Sequence, residues 1–356
     1  MLWLNGKSKS SSNRLKSGFK LRARDLRVLE ALFNVQSLDP RQIAKEVSLP
    51  EKVVRRRLRA LRERKFFEKK YIVNYWKIDF VPLLIVARDS IEDLKNLPGK
   101  PLIRFTKRVF ASVPYRILSL AVPSENLDET LRYFYEVIGE VDIYFLKSFH
   151  ESVSFRFYDV ENMCWNIDFS ALSLYIKEIM FKEGFLEVLR ESSMIKALNK
   201  QCFAKTVKLD EWELKGLYGF EKFQNKIFIF SKSKLGISRT KIYKLKRKTE
   251  NLGVLSFYID VYPPQLAENL FLIIEKYDEM FLEALLLGLG ELPKLKYWKA
   301  VKLDSGGKDN RKDIVIIRLS LPQGGFINFL ENFTKILIDK VDFKIYLEIE
   351  ASETLD

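Results

Sequence analysis

The sequence repeats itself at about half its length, and this repeat limits the possible folds more than any other feature. With an offset of 188, apolar positions of the first half meet apolar positions of the second, as Leu29 meets Leu217 and Val54 meets Ile242. The offset grows to about 200 after a glycine-containing loop at 304–310. A repeat of this length indicates two copies of one structural unit, so a fold suggested for one half has to fit the other.

The first part of each copy has the rhythm of three short helices followed by a β-rich segment. In the first copy, Pro50 is well placed to open the third helix, in which Val54, Leu58 and Leu61 form a single apolar stripe. The segment 66–75 that follows is rich in β-forming residues and is predicted to form a hairpin wing. This order of elements predicts a winged helix-turn-helix domain.

The second part of each copy alternates strand and helix patterns. In the first copy, strands are predicted at 82–88, 108–113, 116–122 and 142–149, with helices near 90–97 and 125–138. This β-α-β-β-α-β order is typical of a ferredoxin-like sandwich. We therefore predict an α+β fold with two winged helix-turn-helix domains, each followed by a ferredoxin-like βαββαβ sandwich. The predicted boundaries are a basic flexible arm at 1–20, winged helix-turn-helix domains at 21–78 and 205–264, sandwiches at 79–159 and 265–352, and a helical connector at 160–204.

Positive charge is concentrated in two parts of the chain. The net charge is +14, yet residues 1–75 alone hold 20 Lys and Arg against 7 Asp and Glu, and residues 203–262 hold 13 against 6. Six of the arginines lie in the twelve residues of VVRRRLRALRER at 53–64. Both basic segments contain a predicted third helix, so double-stranded DNA is the expected partner and each third helix a recognition helix for the major groove.

The candidate DNA contacts lie on the faces opposite the apolar stripes. In the first copy they are Lys52, Arg55, Arg56, Arg59 and Arg62, with Lys69 and Lys70 in the wing. In the second copy they are Ser238, Arg239, Lys241, Lys244 and Arg247, with Ser238 as the helix N-cap. Lys7, Lys9, Arg14 and Lys16 of the arm are expected to contact phosphates. The second helix is a weaker match, because Lys246 and Thr249 replace Leu58 and Leu61, and Leu245 and Leu252 are expected to take over the core.

Catalytic and metal chemistry have few candidate residues. The chain has one histidine, His150, and two cysteines, Cys164 and Cys202, which are too few for a zinc cluster or a histidine dyad. No uncharged apolar run is long enough to span a membrane. We therefore expect a cytoplasmic protein, archaeal or thermophilic in character, with no enzymatic activity, cofactor or metal.

The sequence resembles the Lrp/AsnC (feast/famine) transcriptional regulators. The resemblance lies in the turn SLP at 48–50 with its following helix, in LGIS at 235–238 with the segment that follows it, and in the sandwich after each. It implies a DNA-binding regulator whose sandwiches mediate assembly or bind a small-molecule effector. The tandem implies an intramolecular pseudo-dimer or a homodimer.

Two other functions fit the same architecture. A chromatin-like architectural protein would also use a basic arm and repeated basic helices. Siroheme decarboxylases, which the chain also resembles in element order, depend on histidines in the sandwich, whereas the lone His150 lies in the last strand of the first sandwich. We expect sequence-specific regulation of transcription in preference to either.

Overall fold

A computed structural model of the chain describes residues 20–88, 97–98, 101–181, 206–303, 312–338 and 340–349, and it shows a mixed α+β fold. The predicted arm at 1–20 (except Lys20), the helix near 90–97 (except Leu97), the loop at 304–310 and residues 182–205 of the connector lie outside the described residues.

The described helices follow the chain in two series. They are α1 (Ala23–Val35), α2 (Pro40–Val47), α3 (Glu51–Glu63), α4 (Leu127–Tyr133), α5 (Phe169–Phe181), α6 (Glu211–Phe223), α7 (Ile227–Leu235), α8 (Arg239–Asn251), α9 (Glu279–Gly290) and α10 (Gly325–Ile338). In the described part of the chain, none of them is long and apolar enough to cross a membrane.

The strands include eight long ones that build one barrel. The twelve described strands are β1 (Phe67–Val73), β2 (Phe80–Arg88), β3 (Leu102–Phe110), β4 (Pro114–Pro123), β5 (Val141–Val153), β6 (Tyr158–Asp159), β7 (Cys164–Trp165), β8 (Leu255–Val261), β9 (Leu266–Lys276), β10 (Lys294–Leu303), β11 (Lys312–Pro322) and β12 (Asp342–Glu348).

Each three-helix group begins with the same capping arrangement. The backbone N–H of Arg22 donates to the Asp25 carboxylate at 3.0 Å before α1, and that of Asp210 donates to Glu213 at 3.1 Å before α6. Both carboxylates occupy the third position of their helix and close a capping box with the N-cap residue. Asp25 and Glu213 are related by the same offset as Leu29 and Leu217. These capping carboxylates were not among the apolar matches, so they are additional support for the internal repeat.

The predicted hairpin wing is wrong in its pairing. Among the described strands β1 pairs with β8 alone, antiparallel and along its whole length, from Phe67 opposite Val261 to Val73 opposite Leu255. The middle pair, Lys70 opposite Tyr258, joins two residues that occupy equivalent positions in the two copies. The β1–β8 ribbon therefore lies on a pseudo-twofold axis between the two copies.

Two glutamines attach each three-helix group to the strand of the other copy. The backbone N–H of Ile259 donates to the side-chain oxygen of Gln36 at 2.7 Å, and that of Tyr71 donates to Gln224 at 2.6 Å. Ile259 and Val261 belong to the first helical core, whereas Tyr71 and Val73 belong to the second. Because each core is completed by the other copy, the two helical groups form one interlocked body.

The long strands of both copies close into a single barrel. The strand order is β10-β11-β9-β12-β3-β4-β2-β5, in which β2 to β5 come from the first copy and β9 to β12 from the second. The two junctions between the copies differ greatly. β5 and β10 pair through ten residues of β10, whereas the described residues of β3 and β12 pair at Phe110 with Leu347 and at Val109 with Glu348.

Apolar layers lie on both faces of the barrel wall. Helices α5, α9 and α10 cover the outer face of the second-copy strands in the largest apolar cluster. Phe134 and Leu97 cover the first-copy strands. The inner faces meet in a third cluster that includes Trp298, Phe271 and Tyr144, so side chains fill the middle of the barrel.

Candidate nucleic-acid interface

The orientation of α3 is fixed by its apolar stripe. Val54 and Leu61 are fully buried and Leu58 is 9% exposed, as the spacing predicts. The opposite face presents the five cationic residues named for this helix: Lys52, Arg55, Arg56, Arg59 and Arg62 are all exposed. A pocket of about 320 Å³ beside the helix is lined by Arg55, Arg59 and Arg62 together with Glu63 and apolar residues. The helix thus offers a row of guanidinium groups to a polyanion.

Two acidic contacts modify this basic face. Glu51, one turn before Arg55, pairs with it at 2.5 Å and also lies 3.7 Å from Arg41. Exposed pairs of this kind contribute about 0–1 kcal/mol, so they orient Arg55 without holding it away from a phosphate. Arg57 is different: it lies 3.2 Å from the fully buried Asp25 and is only 16% exposed. Arg57 therefore links α3 to α1 through this ion pair and is not part of the exposed face.

The second-copy helix α8 is also basic but has a different surface. Ser238 caps it by accepting from the N–H of Lys241 at 3.4 Å, and Ile242, Leu245 and Thr249 are its buried residues. The core role expected for Leu252 was wrong, because this side chain is 40% exposed. The Thr249 hydroxyl fits the core because it donates to the Leu245 carbonyl at 2.8 Å.

The exposed face of α8 combines cations with aromatic rings. Arg239, Lys241, Lys244 and Arg247 are all exposed. Arg239 donates to the hydroxyl of Tyr243 at 3.3 Å, and Tyr243 stacks on Phe228 with ring centroids 4.6 Å apart. Tyr243 occupies the position equivalent to Arg55, so the second copy has an aromatic ring where the first has a guanidinium. The exposed faces of α3 and α8 therefore differ in their side-chain chemistry.

The two wing lysines are placed less favourably for DNA. Lys70 pairs at 2.5 Å with Asp260, which is 2% exposed, on the ribbon face that is turned toward the barrel. Lys69 lies with its ammonium 3.6 Å from the centre of the Phe257 ring. Burial lowers the pKa of Lys69, and the charge of Lys246 acts in the same direction. Both lysines are therefore half-buried, and their part in a DNA interface stays a prediction.

The remaining candidates for chemistry are the lone histidine and the potential metal ligands. His150 is half-buried on β5, with its ring centroid 5.1 Å from that of Tyr297, and burial lowers its pKa. No group of three or more potential metal ligands occurs within the described residues. Sequence reasoning did not find three structural contacts. They are the ion pair of Asp25 with Arg57, the ion pair of Glu213 with Lys248, and the hydrogen bonds that Gln36 and Gln224 accept from the β1–β8 ribbon.

Comparisons with known proteins give structural neighbours and no family. No protein-family model matches the chain, and no curated protein matches it. The siroheme decarboxylase NirDL matches 91% of this chain and 91% of its own at 12% identity and a TM-score of 0.39. Its complex with an iron-uroporphyrin III analogue matches over the same shares at 11% identity and a TM-score of 0.39. The protein PH0061 matches 35% of this chain and 91% of its own at 15% identity and a TM-score of 0.25.

These neighbours correct one expectation. The sequence led us to expect a protein with no enzymatic activity, but the neighbour that matches along most of the chain is an enzyme, a decarboxylase. The expectation of a non-enzyme was therefore wrong. At these TM-scores the neighbours assign neither a reaction nor a substrate to this chain.

Proposed function

We propose that the chain binds duplex DNA through the exposed faces of α3 and α8 and acts as a transcriptional regulator. The observation that carries the proposal is the β1–β8 ribbon, which fixes two exposed basic helices around one pseudo-twofold axis. Proteins with paired helix-turn-helix units read two half-sites in this way, with the symmetry of the protein matched to that of the DNA. Here a single chain supplies both units.

The layout of the chain supports the tandem that such a protein needs. The first-copy strands run in the order β5-β2-β4-β3 and the second-copy strands in the order β12-β9-β11-β10, which is the same order in each half. With α4 between β4 and β5, and with α9 and α10 as the crossovers of the second copy, the order fits a ferredoxin-like sandwich after each helix-turn-helix. The proposed domain boundaries are those expected from the sequence.

The two helices are proposed to have unequal roles. α3 presents arginines that suit guanine O6 and N7 or flanking phosphates, with Arg55, Arg56 and Arg59 as the principal contacts. α8 presents Arg239, Lys241, Lys244 and Arg247 around the ring of Tyr243, and these cations are better suited to phosphate contacts. The first copy would then supply most of the sequence discrimination, and the second would add affinity.

The test is a binding measurement with matched variants. Arg55→Ala combined with Arg56→Ala should weaken binding to a duplex by about 1–3 kcal/mol, the range for removal of a good base contact. The control is Arg132→Ala combined with Lys335→Ala, which removes two exposed cations from the sandwich helices α4 and α10. Equal affinities of the two double variants, both folded by circular dichroism, would remove α3 from the interface.

Regulation and an architectural role are separated by the pattern of binding. A regulator protects one short segment of a promoter in a footprinting assay, whereas an architectural protein protects any duplex uniformly. Because the structural neighbour is named for siroheme, the same preparation is also incubated with siroheme. Consumption of siroheme, followed by its Soret absorption, would assign a catalytic function to the chain.

A further inference from the structure

Beneath the β1–β8 ribbon, one end of the barrel interior is lined by charged side chains. Each of the barrel residues involved lies two positions along its strand from a residue of the apolar interior, and so points to the same side of the wall. They are Lys107 beside Val109, Lys296 beside Trp298, Arg318 beside Ile316, Glu348 beside Tyr346, and Glu151 beside Phe149. This charged end is separate from the exposed faces of α3 and α8.

The part next to the ribbon holds three lysines and two carboxylates. Asp260 of the ribbon pairs with Lys70 at 2.5 Å and with Lys294, which also donates to the Val261 carbonyl at 2.8 Å. Glu151 lies 3.1 Å from Lys294 and 3.2 Å from Lys296. Lys70 and Lys296 each share their carboxylate with Lys294, and the contact of Lys296, at 3.2 Å, is longer than that of Lys70.

The part next to the β3–β12 junction holds two cations and one carboxylate. Glu348 lies 2.6 Å from Lys107 and 2.9 Å from the Nη2 atom of Arg318. The Nε atom of Arg318 is buried and donates to no acceptor in the described part of the chain. Arg318 stands directly opposite Lys296 in the β10–β11 pairing, which joins the two parts into one network.

This network carries an excess of positive charge. Five cations face three carboxylates, which leaves two positive charges without a counterpart among its members. Burial lowers the pKa of Lys296 and of Lys107, against the attraction of Glu151 and Glu348 respectively. Uncompensated charge inside a protein is costly and is normally relieved by a counter-ion, a bound ligand or loss of a proton.

The charged end can be reached by a small molecule. Lys107, Lys296 and Arg318 keep 13%, 16% and 22% of their side-chain surfaces accessible, although they lie on the inner face. On this side of the barrel β12 pairs with β3 at Val109 and Phe110, and the backbone N–H of Ile349 donates to the Arg108 carbonyl at 3.1 Å. The three cations are therefore partly accessible beside a described end of β12.

We infer that this end of the barrel binds a small anion with at least two negative charges, held by Lys107, Lys296 and Arg318. The free Nε edge of Arg318 suits a planar carboxylate or a phosphate oxygen, since guanidinium groups bind both through paired N–H donors. A di- or tricarboxylate and a phosphate share this chemistry. The site goes beyond the proposed DNA surface, because neither α3 nor α8 contributes a residue to it.

The experiment measures thermal unfolding of the full chain with citrate and, separately, with inorganic phosphate. Each anion is compared with sodium chloride at equal ionic strength. At about 100 times its dissociation constant, a bound anion should raise the Tm by about 4 °C. Citrate alone raising the Tm would indicate a carboxylate ligand, and phosphate alone a phosphate ligand. A Tm that follows ionic strength only, with citrate and with phosphate alike, would overturn the proposal.

Variants distinguish this site from general stabilisation by anions. Lys296→Met should abolish most of the Tm rise, and it should unfold at the same or a higher temperature than the wild type without anion, since it removes excess charge. Lys299→Met, three residues along the same strand and on its other face, should keep the full rise. Lys107→Met is the second variant if Lys296→Met does not fold.

Two further results would contradict the site. An undiminished rise in a folded Lys296→Met or Lys107→Met protein would show that the anion binds elsewhere. Loss of the rise in the Arg55→Ala, Arg56→Ala protein would assign the anion to α3. Retention of the rise in that protein, together with loss of DNA binding, would show that the anion site and the DNA surface are independent.

Discussion

Replacing Asp25 by Asn tests the buried ion pair that supports α3. The Asn side-chain oxygen can still accept from the N–H of Arg22, so the capping box is retained while the charge is removed. Arg57, which is 16% exposed, would then keep its positive charge with no partner at this position. Breaking a buried pair from one side costs about 3–5 kcal/mol, and the partial exposure of Arg57 places the expected cost near the lower limit, at about 3 kcal/mol.

The second copy provides an internal control for this magnitude. Glu213 occupies the equivalent capping position and pairs with Lys248 at 2.7 Å, but Lys248 is 47% exposed. Water can solvate its ammonium after Glu213→Gln, so the expected cost is about 1 kcal/mol or less. The difference between the two substitutions follows from the exposure of the cation, because both carboxylates are almost fully buried.

The assay is native-state hydrogen exchange on the amides of α1 to α3 and α6 to α8, which reports the local free energy of opening. Arg57→Met should restore most of the loss in the Asp25→Asn background, because no unpaired charge is then left inside. Equal effects of Asp25→Asn and Glu213→Gln, or a double variant no more stable than Asp25→Asn alone, would refute the reasoning.

Two other regions give further predictions. Gly288→Ala places a methyl group against the buried side chain of Ile176, where α9 crosses α5. The cost of overpacking exceeds the gain in helix propensity, so the free energy of unfolding should fall by about 1 kcal/mol in a denaturant titration. Burial acts to raise the pKa of Asp142, but the hydrogen bonds from Lys302 and Lys344 outweigh it and the net direction is downward. The unfolded carboxyl then binds protons at higher pH than the folded one, so its contribution to stability is present above about pH 4 and is lost as the pH falls further. Asp142→Asn should therefore lower the Tm at pH 7 and flatten its decline between about pH 4 and 2 in a pH series of thermal melts.

Local periodicity predicted the helices well, because their information lies within a few turns of chain. The stripe of Val54, Leu58 and Leu61 fixed which way α3 faces, and the exposed arginines follow from it. The misjudged core positions of α8 have a local cause as well. Thr249 replaces an apolar residue by satisfying its own hydroxyl within the helix, which a count of apolar residues cannot detect.

The ribbon and the barrel could not be predicted in the same way. A strand such as β1 carries no local mark of whether it turns back on itself or pairs with the equivalent strand of the other copy. The strongest hint was the recurrence of Gln36 at Gln224, two of six glutamines in the chain, and its meaning is visible only once the strands are paired. The contact of Lys70 with Asp260 is non-local in the same way, because Asp260 comes from the other copy.

The charged end of the barrel is equally non-local. Its members come from both copies and meet only when the barrel closes, so their spacing in the sequence shows no pattern. Along each strand they look like ordinary alternating polar residues of a solvated face. Burial within a closed barrel changes their meaning, because charges that water would screen must then be balanced by one another or by a ligand.

The salt dependence of DNA binding tests the central claim most directly. The logarithm of affinity for one fixed duplex is measured against the logarithm of salt concentration for the wild type and for the Arg55→Ala, Arg56→Ala variant. If both arginines contact DNA phosphates or the bases beside them, the variant should bind more weakly, and its slope should be smaller by up to about 2, at about 0.9 for each phosphate that is no longer neutralised. Identical affinities and identical slopes for the two proteins would contradict the account.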